Sequence, residues 1–176
     1  MTELVRGDRF QELFASFRST AQRLETRDRY NSPVEREPLR RFLEGNPDPE
    51  WASRPWLHSV RQAAAEGRYF QRVRVVSLPL SDYARFGLHG ALANNAAGED
   101  IRYLDRDTAL GAGVPQLDVW CFDRSLSAVL HFDADDGSML GAELIDDPGV
   151  VAEHRGWFDL ARKLSVSREE FVKRAE

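Results

Sequence analysis

The chain has 176 residues, a formal net charge of -5 and a single cysteine, Cys121. This length suits one domain that spans residues 1–176 and buries a substantial core. The negative charge argues against direct binding to nucleic acid, which relies on a basic face. No apolar run is long enough to span a membrane, the N-terminal segment lacks the apolar core of a signal peptide, and a lone cysteine excludes an internal disulfide. We therefore expect a cytoplasmic protein without a membrane partner.

Residues 1–68 are predicted to form a helical N-terminal extension. Apolar side chains at helical spacing predict its first amphipathic helix, namely Phe10, Leu13, Phe14 and Phe17. Two further helices are predicted over residues 33–45 and 55–67, each bounded by proline and glycine. The charged segment 23–30 alternates poorly, and both an edge strand and an extended connector stay open for it.

Residues 69–176 are predicted to form the α/β core. One strand, one helix, four strands and a final helical region are expected in turn, from the segments VRVVSLPL, SDYARFGLHGALANN, IRYL, LDVWCFD, LSAVLHFD, GAELI and the residues after DDPG. Tight polar turns at 123–125 and 135–137 predict two antiparallel hairpins. The glycine-containing segment 105–116 is predicted to be a mobile loop. The expected fold class is α/β (α+β), with one mixed or mainly antiparallel sheet and helices packed on it.

The candidate ligand site is a group of arginines on neighbouring predicted strands. Arg72, Arg74 and Arg102 are expected to project to one region, with Asp118 nearby. Guanidinium groups bind phosphates and carboxylates through two parallel hydrogen bonds, so the group predicts a pocket for a small anion. The alternative is ion pairing with carboxylates close in the sequence, which are Asp82, Glu99, Asp100 and Asp118.

Two tryptophans in the N-terminal third are candidates for a partner surface. Trp51 and Trp56 would mark such a surface if their rings are exposed, because tryptophan is enriched where proteins bind each other. Tryptophans also fill cores, and this second interpretation holds equally for Trp120 and Trp157.

No metal site and no cofactor are predicted. The four histidines are dispersed and form no pair at the spacing of metal ligands. Asp133, Asp135 and Asp136 precede Gly137 at a spacing that fails for a calcium loop and fits a hairpin turn. Cys121 stands between aromatic residues in an apolar strand, which indicates a buried structural thiol.

Several segments resemble a family of uncharacterised actinomycete proteins. They are RLET, RVRVVSLPLSDYARF, GEDIRYL, DVWCFD and GAELIDDP, and the resemblance covers residues 10–157. Members of that family are often encoded beside helix-turn-helix regulators. The resemblance therefore implies a regulatory or accessory role and a helix-turn-helix regulator as the protein partner.

The order of elements in residues 69–176 is similar to half of a phospholipase-D-like domain. Such a half carries a histidine and a lysine on the strand assigned here to LDVWCFD, and the matching positions hold Gln116 and Asp118. The resemblance thus implies a degenerate member, because no imidazole nucleophile or phosphate-holding lysine is present for covalent phosphoryl transfer.

The preferred function is therefore non-enzymatic: a regulatory or accessory interaction protein that partners a DNA-binding regulator and senses a small anionic ligand. The alternative is an enzyme of specialised metabolism. It would act through a pocket near Arg74, Arg102, Asp118 and His131, where the histidine would serve as a general base.

Overall fold

The computed structural model describes residues 3–175, in which eight strands form one sheet. The strands are β1 Leu4–Val5, β2 Thr20–Glu25, β3 Tyr69–Val76, β4 Asp100–Asp105, β5 Val119–Phe122, β6 Leu126–Phe132, β7 Met139–Ile145 and β8 Val166–Ser167. The α-helices are α1 Gly7–Ser16, α2 Arg36–Leu43, α3 Pro55–Ala65, α4 Asp82–Ala97, α5 Arg106–Gly111, α6 Pro148–Leu164 and α7 Arg168–Ala175. Short 3-10 turns, Pro33–Glu35 and Pro49–Ser53, precede α2 and α3.

The sheet is mixed, which confirms the expected fold class. Its strand order is β1-β7-β6-β5-β2-β3-β4-β8. The strands β2, β3 and β4 run parallel to one another, and all other pairings are antiparallel. The parallel half requires crossovers, which are supplied by α2 and α3 before β3 and by α4 before β4.

The N-terminal third is not a purely helical extension. It contributes β1 and β2, and β2 lies in the middle of the sheet between β3 and β5. In the segment 23–30, residues 26–30 form a connector after β2, whereas residues 23–25 belong to a central strand and not to an edge strand. The sequence expectation was wrong here because charges usually mark an exposed strand, whereas Arg23 and Glu25 are only 5% and 8% exposed.

Each face of the sheet carries its own core. The helix-rich face, which bears Phe70, Trp120 and Tyr103, is covered by α1, α3, α4 and α7. The opposite face, called here the α6 face, packs Leu24 and its neighbours against Phe158 of α6. Because side chains alternate along a strand, the register of each pair decides which face a residue joins.

Both predicted hairpins are present. Asp123, at a φ of 54°, turns the chain between β5 and β6, and its carboxylate accepts hydrogen bonds from the backbone N–H groups of residues 18–20. Asp133 accepts from the N–H groups of Asp135 and Asp136 in the turn between β6 and β7. The aspartate cluster is thus accounted for by turn chemistry.

The predicted loop over residues 105–116 is wrong over residues 106–111, whereas residues 112–116 are outside helices and strands. Arg106–Gly111 forms α5, which Asp105 caps by accepting from the backbone N–H of Thr108 at 2.9 Å. Ala109 is fully buried against the α6 face, so tertiary packing stabilises a helix too short to be read from its sequence. Within residues 3–175, none of the helices has the length and apolar character that a bilayer crossing requires.

Candidate functional site

A network of charged side chains lies buried on the helix-rich face. Arg23 pairs in register with Arg72 and Glu25 with Arg74, so all four side chains project to that face from adjacent strands. The Glu25 carboxylate lies 2.9 Å from Arg72 Nη1, 3.0 Å from Arg74 Nε and 3.8 Å from Arg23 Nε. One carboxylate therefore joins three guanidinium groups.

The network strongly favours the ionised form of Glu25. Burial alone would raise the pKa of this carboxyl group, but the positive charges of Arg74, Arg72 and Arg23 outweigh burial and lower the pKa to about 2. The carboxylate is thus charged at every pH at which the protein would ordinarily be handled.

Glu99 extends the network toward the helices. Its carboxylate lies 2.8 Å from Arg72 Nη2 and accepts hydrogen bonds from Trp56 Nε1 at 3.1 Å and Asn94 Nδ2 at 2.5 Å. Glu99 is 2% exposed, and the three partners of its carboxylate also line a cavity. The ion pair of Arg72 with Glu99 is one of the pairings that the sequence had left open.

Asp118 closes the other end of the network. It accepts hydrogen bonds from Arg23 Nη2 at 3.1 Å, Thr26 Oγ1 at 3.4 Å and the Tyr30 hydroxyl at 2.5 Å. Burial raises its pKa despite the nearby Arg23 guanidinium. In the part of the chain that the structure describes, Arg23 Nη1 is buried and has no hydrogen-bond partner.

The predicted grouping of Arg102 with Arg72 and Arg74 is wrong. Arg102 pairs in register with Val73, and both therefore lie on the α6 face. Its guanidinium donates to the Ser165 hydroxyl and carbonyl oxygens, both at 3.0 Å. The sequence could not show this, because the register between β3 and β4 decides the face.

The predicted pocket of the alternative enzyme is also absent from the described residues. His131 Nε2 lies 3.1 Å from Glu143 Oε2. The preceding residue of β6, Leu130, lies on the helix-rich face, where it pairs in register with Ala142. His131 and Arg102 thus lie on the α6 face, whereas Arg74 lies on the other. The enzymatic hypothesis stays a prediction, but these residues do not form one pocket that could carry it.

Two cavities open above the arginine network. The tryptophan cavity has a volume of about 550 Å³ and is lined by Phe10, Gln11, Phe14, Ser32, Val34, Glu35, Trp51, Arg54, Pro55, Trp56, Arg72, Arg74, Asn94 and Trp120. The tyrosine cavity has a volume of about 410 Å³ and is lined by Arg23, Glu25, Tyr30, Asn31, Ser32, Pro33, Glu35, Arg72, Arg74, Tyr83, Leu130, Phe132, Gly137, Ser138 and Met139. Residues 32 and 35 and both β3 arginines line both cavities, so segment 32–35 lies between them.

Trp51 and Trp56 are walls of the tryptophan cavity and do not form an exposed surface. Both are partly buried. The Trp56 ring lies 4.9 Å from that of Phe70 and 5.5 Å from that of Phe14, centroid to centroid. The Trp51 ring lies 5.6 Å from that of Phe86, centroid to centroid, and the Arg54 guanidinium carbon lies 4.3 Å from the Trp51 ring centroid. The partner-surface prediction therefore loses the exposure on which it depended.

Two residues of the tryptophan cavity were missed by the sequence analysis. Arg54 Nη1 donates to the Trp51 carbonyl at 2.6 Å, and Nη2 donates to Asn94 Oδ1. Burial lowers the pKa of Arg54 to about 10, against the attraction of Glu99 and, more weakly, of Glu35. Glu35 accepts a hydrogen bond from the Tyr83 hydroxyl at 2.7 Å. No sequence signal marks either residue, because the cavity forms only when segment 32–35 and the start of α3 pack over β3.

Metal and thiol chemistry receive no support from the geometry. Among residues 3–175, no three side chains of histidine, cysteine, aspartate or glutamate are grouped as metal ligands. Cys121 is buried, and burial raises the pKa of its thiol to about 11. The arrangement is suited to recognising a molecule by charge and shape.

The fold and this site define a class: an α/β protein with a mixed sheet, whose central strands carry a buried arginine and carboxylate network beneath two cavities. The chain belongs to the family described as domain of unknown function DUF6879, whose model matches residues 8–173. That range includes every residue of both cavities. No curated protein matches the chain. Membership of an uncharacterised family is thus confirmed.

Proposed function

We propose that this protein is a non-enzymatic regulatory or accessory protein that binds a small anionic ligand above Arg72 and Arg74. The observation that supports the proposal most directly is the pair of cavities whose floors contain these two guanidinium groups. Pockets of roughly 300–1,000 Å³ are typical of small-molecule sites, and both cavities fall in that range.

The buried network supports binding more than catalysis. The β3 arginines are fixed by Glu25 and Glu99, so their positions do not depend on a ligand. Such fixed donors reduce the conformational entropy that binding would otherwise cost. No described group beside them combines a nucleophile with a base, as covalent catalysis would require. A degenerate phospholipase-D-like ancestry, proposed here from the sequence, is consistent with binding.

The protein partner in this proposal is a helix-turn-helix regulator of the same host, as the family resemblance implies. Ligand binding would act on the partner through segment 32–35, which covers both cavities and leads directly into α2. Val34 of this segment is 75% exposed and would be available to contact another protein.

The test is purification of the tagged protein from its native host, with mass spectrometry of released small molecules and of co-purifying proteins. Ser32→Trp would add an indole ring at a residue that lines both cavities, while it removes none of the ion pairs. Ser53→Trp is the matched control, because Ser53 is exposed and lines neither cavity.

We expect an anionic small molecule on the wild type and on the control, and its loss from Ser32→Trp. Recovery of a regulator whose amount changes when that ligand is added would support the accessory role. Absence of any anionic ligand, in purification and in direct titration, would contradict the proposal.

A further inference from the structure

The tryptophan cavity contains one cation and one anion that the protein leaves without an ionic partner. Among residues 3–175, no carboxylate oxygen lies within 4.0 Å of the Arg54 guanidinium, which binds only neutral acceptors. In the same range, no basic nitrogen lies within 4.0 Å of the Glu35 carboxylate, which accepts from the Tyr83 hydroxyl. Both side chains line the same cavity.

The other charges at this cavity are already paired. Arg72 contacts Glu25 and Glu99, and Arg74 contacts Glu25. A ligand that carried only a negative charge would satisfy Arg54 but would meet the unpaired Glu35 carboxylate. A ligand with charges of both signs would satisfy the two groups together, since partly buried charges gain most from a direct partner.

Aromatic residues make up much of the remaining lining. They are Phe10, Phe14, Trp51, Trp56 and Trp120. Their rings meet mainly edge to face, as with Phe14 and Trp56, whose planes are 88° apart. Aromatic walls of this kind favour a flat aromatic ring over a branched aliphatic chain, because rings gain both buried area and favourable edge and face contacts.

The start of α3 provides additional support on the anion side. Arg54 is its N-cap and makes no capping bond with its side chain, and the first turn contains no acidic residue. Pro55 and Trp56 at this end also line the cavity. A carboxylate beside Arg54 would therefore lie at the positive end of an 11-residue helix.

We infer that the tryptophan cavity binds an aromatic zwitterion, a molecule with an aromatic ring, a carboxylate and an amino group, as in an aromatic amino acid or its derivatives. The carboxylate binds Arg54, the ammonium group binds Glu35, and the ring lies between the aromatic walls. This inference rests on the proposed function, because it places the ligand in one of the two cavities above Arg72 and Arg74. It changes the ligand class: the ligand keeps an anionic group but carries an ammonium group as well.

The test is isothermal titration calorimetry of the full-length protein with four probes. The first probe carries all three recognition groups, and each of the other three lacks one of them. The probes are L-tryptophan, indole-3-propionate without the amino group, tryptamine without the carboxylate, and L-leucine without the ring. We expect L-tryptophan to bind most tightly. Loss of either charged group should weaken binding roughly tenfold to a hundredfold, as is typical of a hydrogen bond to a charged group.

Two variants locate the charges. Arg54→Gln should remove the advantage of L-tryptophan over tryptamine, and Glu35→Gln should remove its advantage over indole-3-propionate. Matched controls are Arg61→Gln on the exposed side of α3 and Glu12→Gln on the exposed side of α1, which should behave as the wild type. The affinities of the four probes for the wild-type protein can be compared without any variant. The inference can therefore be tested even if a variant fails to fold.

The outcomes of the titration separate failure of the zwitterion inference from failure of the proposed function. Indole-3-propionate binding as tightly as L-tryptophan would overturn the zwitterion inference and leave the anionic-ligand proposal standing. The same holds if the aromatic probes do not bind while an aliphatic anion is recovered from the purified protein. Failure of all four probes and of every anionic molecule, in titration and in recovery, would overturn both.

Discussion

Replacement of Glu25 should lower the stability of this protein strongly, because three buried guanidinium groups form ion pairs with its carboxylate. Replacing it by glutamine leaves Arg23, Arg72 and Arg74 without their shared carboxylate while the size of the side chain is kept. A pKa lowered from 4.5 to about 2 corresponds to about 3 kcal/mol of stabilisation at neutral pH. Breaking a buried ion pair typically costs about 3–5 kcal/mol, which agrees with that figure.

For a chain of this length, such a loss should lower Tm by roughly 10 °C. The assay is urea unfolding followed by tryptophan fluorescence, together with thermal unfolding followed by circular dichroism. Because the folded-state pKa of Glu25 lies below its unfolded value, its contribution is complete above pH about 4.5 and is lost as the pH falls toward about 2. The difference in unfolding free energy between wild type and Glu25→Gln should therefore shrink over that range.

The control is Glu12→Gln, which removes an exposed carboxylate from α1. A second variant that combines Glu25→Gln with Arg74→Met should recover part of the loss, since one uncompensated guanidinium is then gone. If Glu25→Gln unfolds within about 0.5 kcal/mol of the control at pH 7, the usual size of surface effects, the reasoning on this network is refuted.

Three other predictions concern separate parts of the fold. Asp118→Asn should cost less unfolding free energy than Glu25→Gln, because burial raises the pKa of Asp118 and folding therefore disfavours its ionised form; urea titration at pH 7 compares the two variants. Gly141→Ala should cost about 1–3 kcal/mol and speed hydrogen exchange in β1, because Gly141 has a φ of 146° and a Cβ there would lie 2.8 Å from Leu4 Cβ. Cys121, whose thiol pKa burial raises to about 11, should react with a disulfide reagent at pH 8 only in urea, and rapid reaction of the native protein would contradict its burial.

Hydrophobic patterning was sufficient to predict much of the sheet. The run from β3 through α4 to β7 was expected in the right order, because its strands and turns carry local signals such as the Asp136-Gly137 turn. The central position of β2 was not predicted, since Arg23 and Glu25 look like surface residues until their partners on β3 are known. The burial of Arg23 and Glu25 depends on partner charges that are 47 or more positions away in the chain, which local patterns do not show.

The candidate site was predictable only in part. Arg72 and Arg74 were identified correctly as neighbours, because they alternate on one strand. Arg102 was misplaced, since a difference of one position in strand register moves a side chain to the other face. Arg54 and Glu35 had no signal of their own, and they meet only through the packing of two connecting segments over the sheet.

The buried charges of β2 have a consequence for how the chain finds its fold. This strand joins the parallel half of the sheet to the antiparallel half, so an error in its alignment would spread to both. A slip of one residue would turn Arg23 and Glu25 toward Phe158 and the apolar side chains beneath α6. An apolar strand would tolerate that slip far better. The charges of β2 therefore select the correct strand register during folding, because they destabilise sheets in which β2 is misaligned.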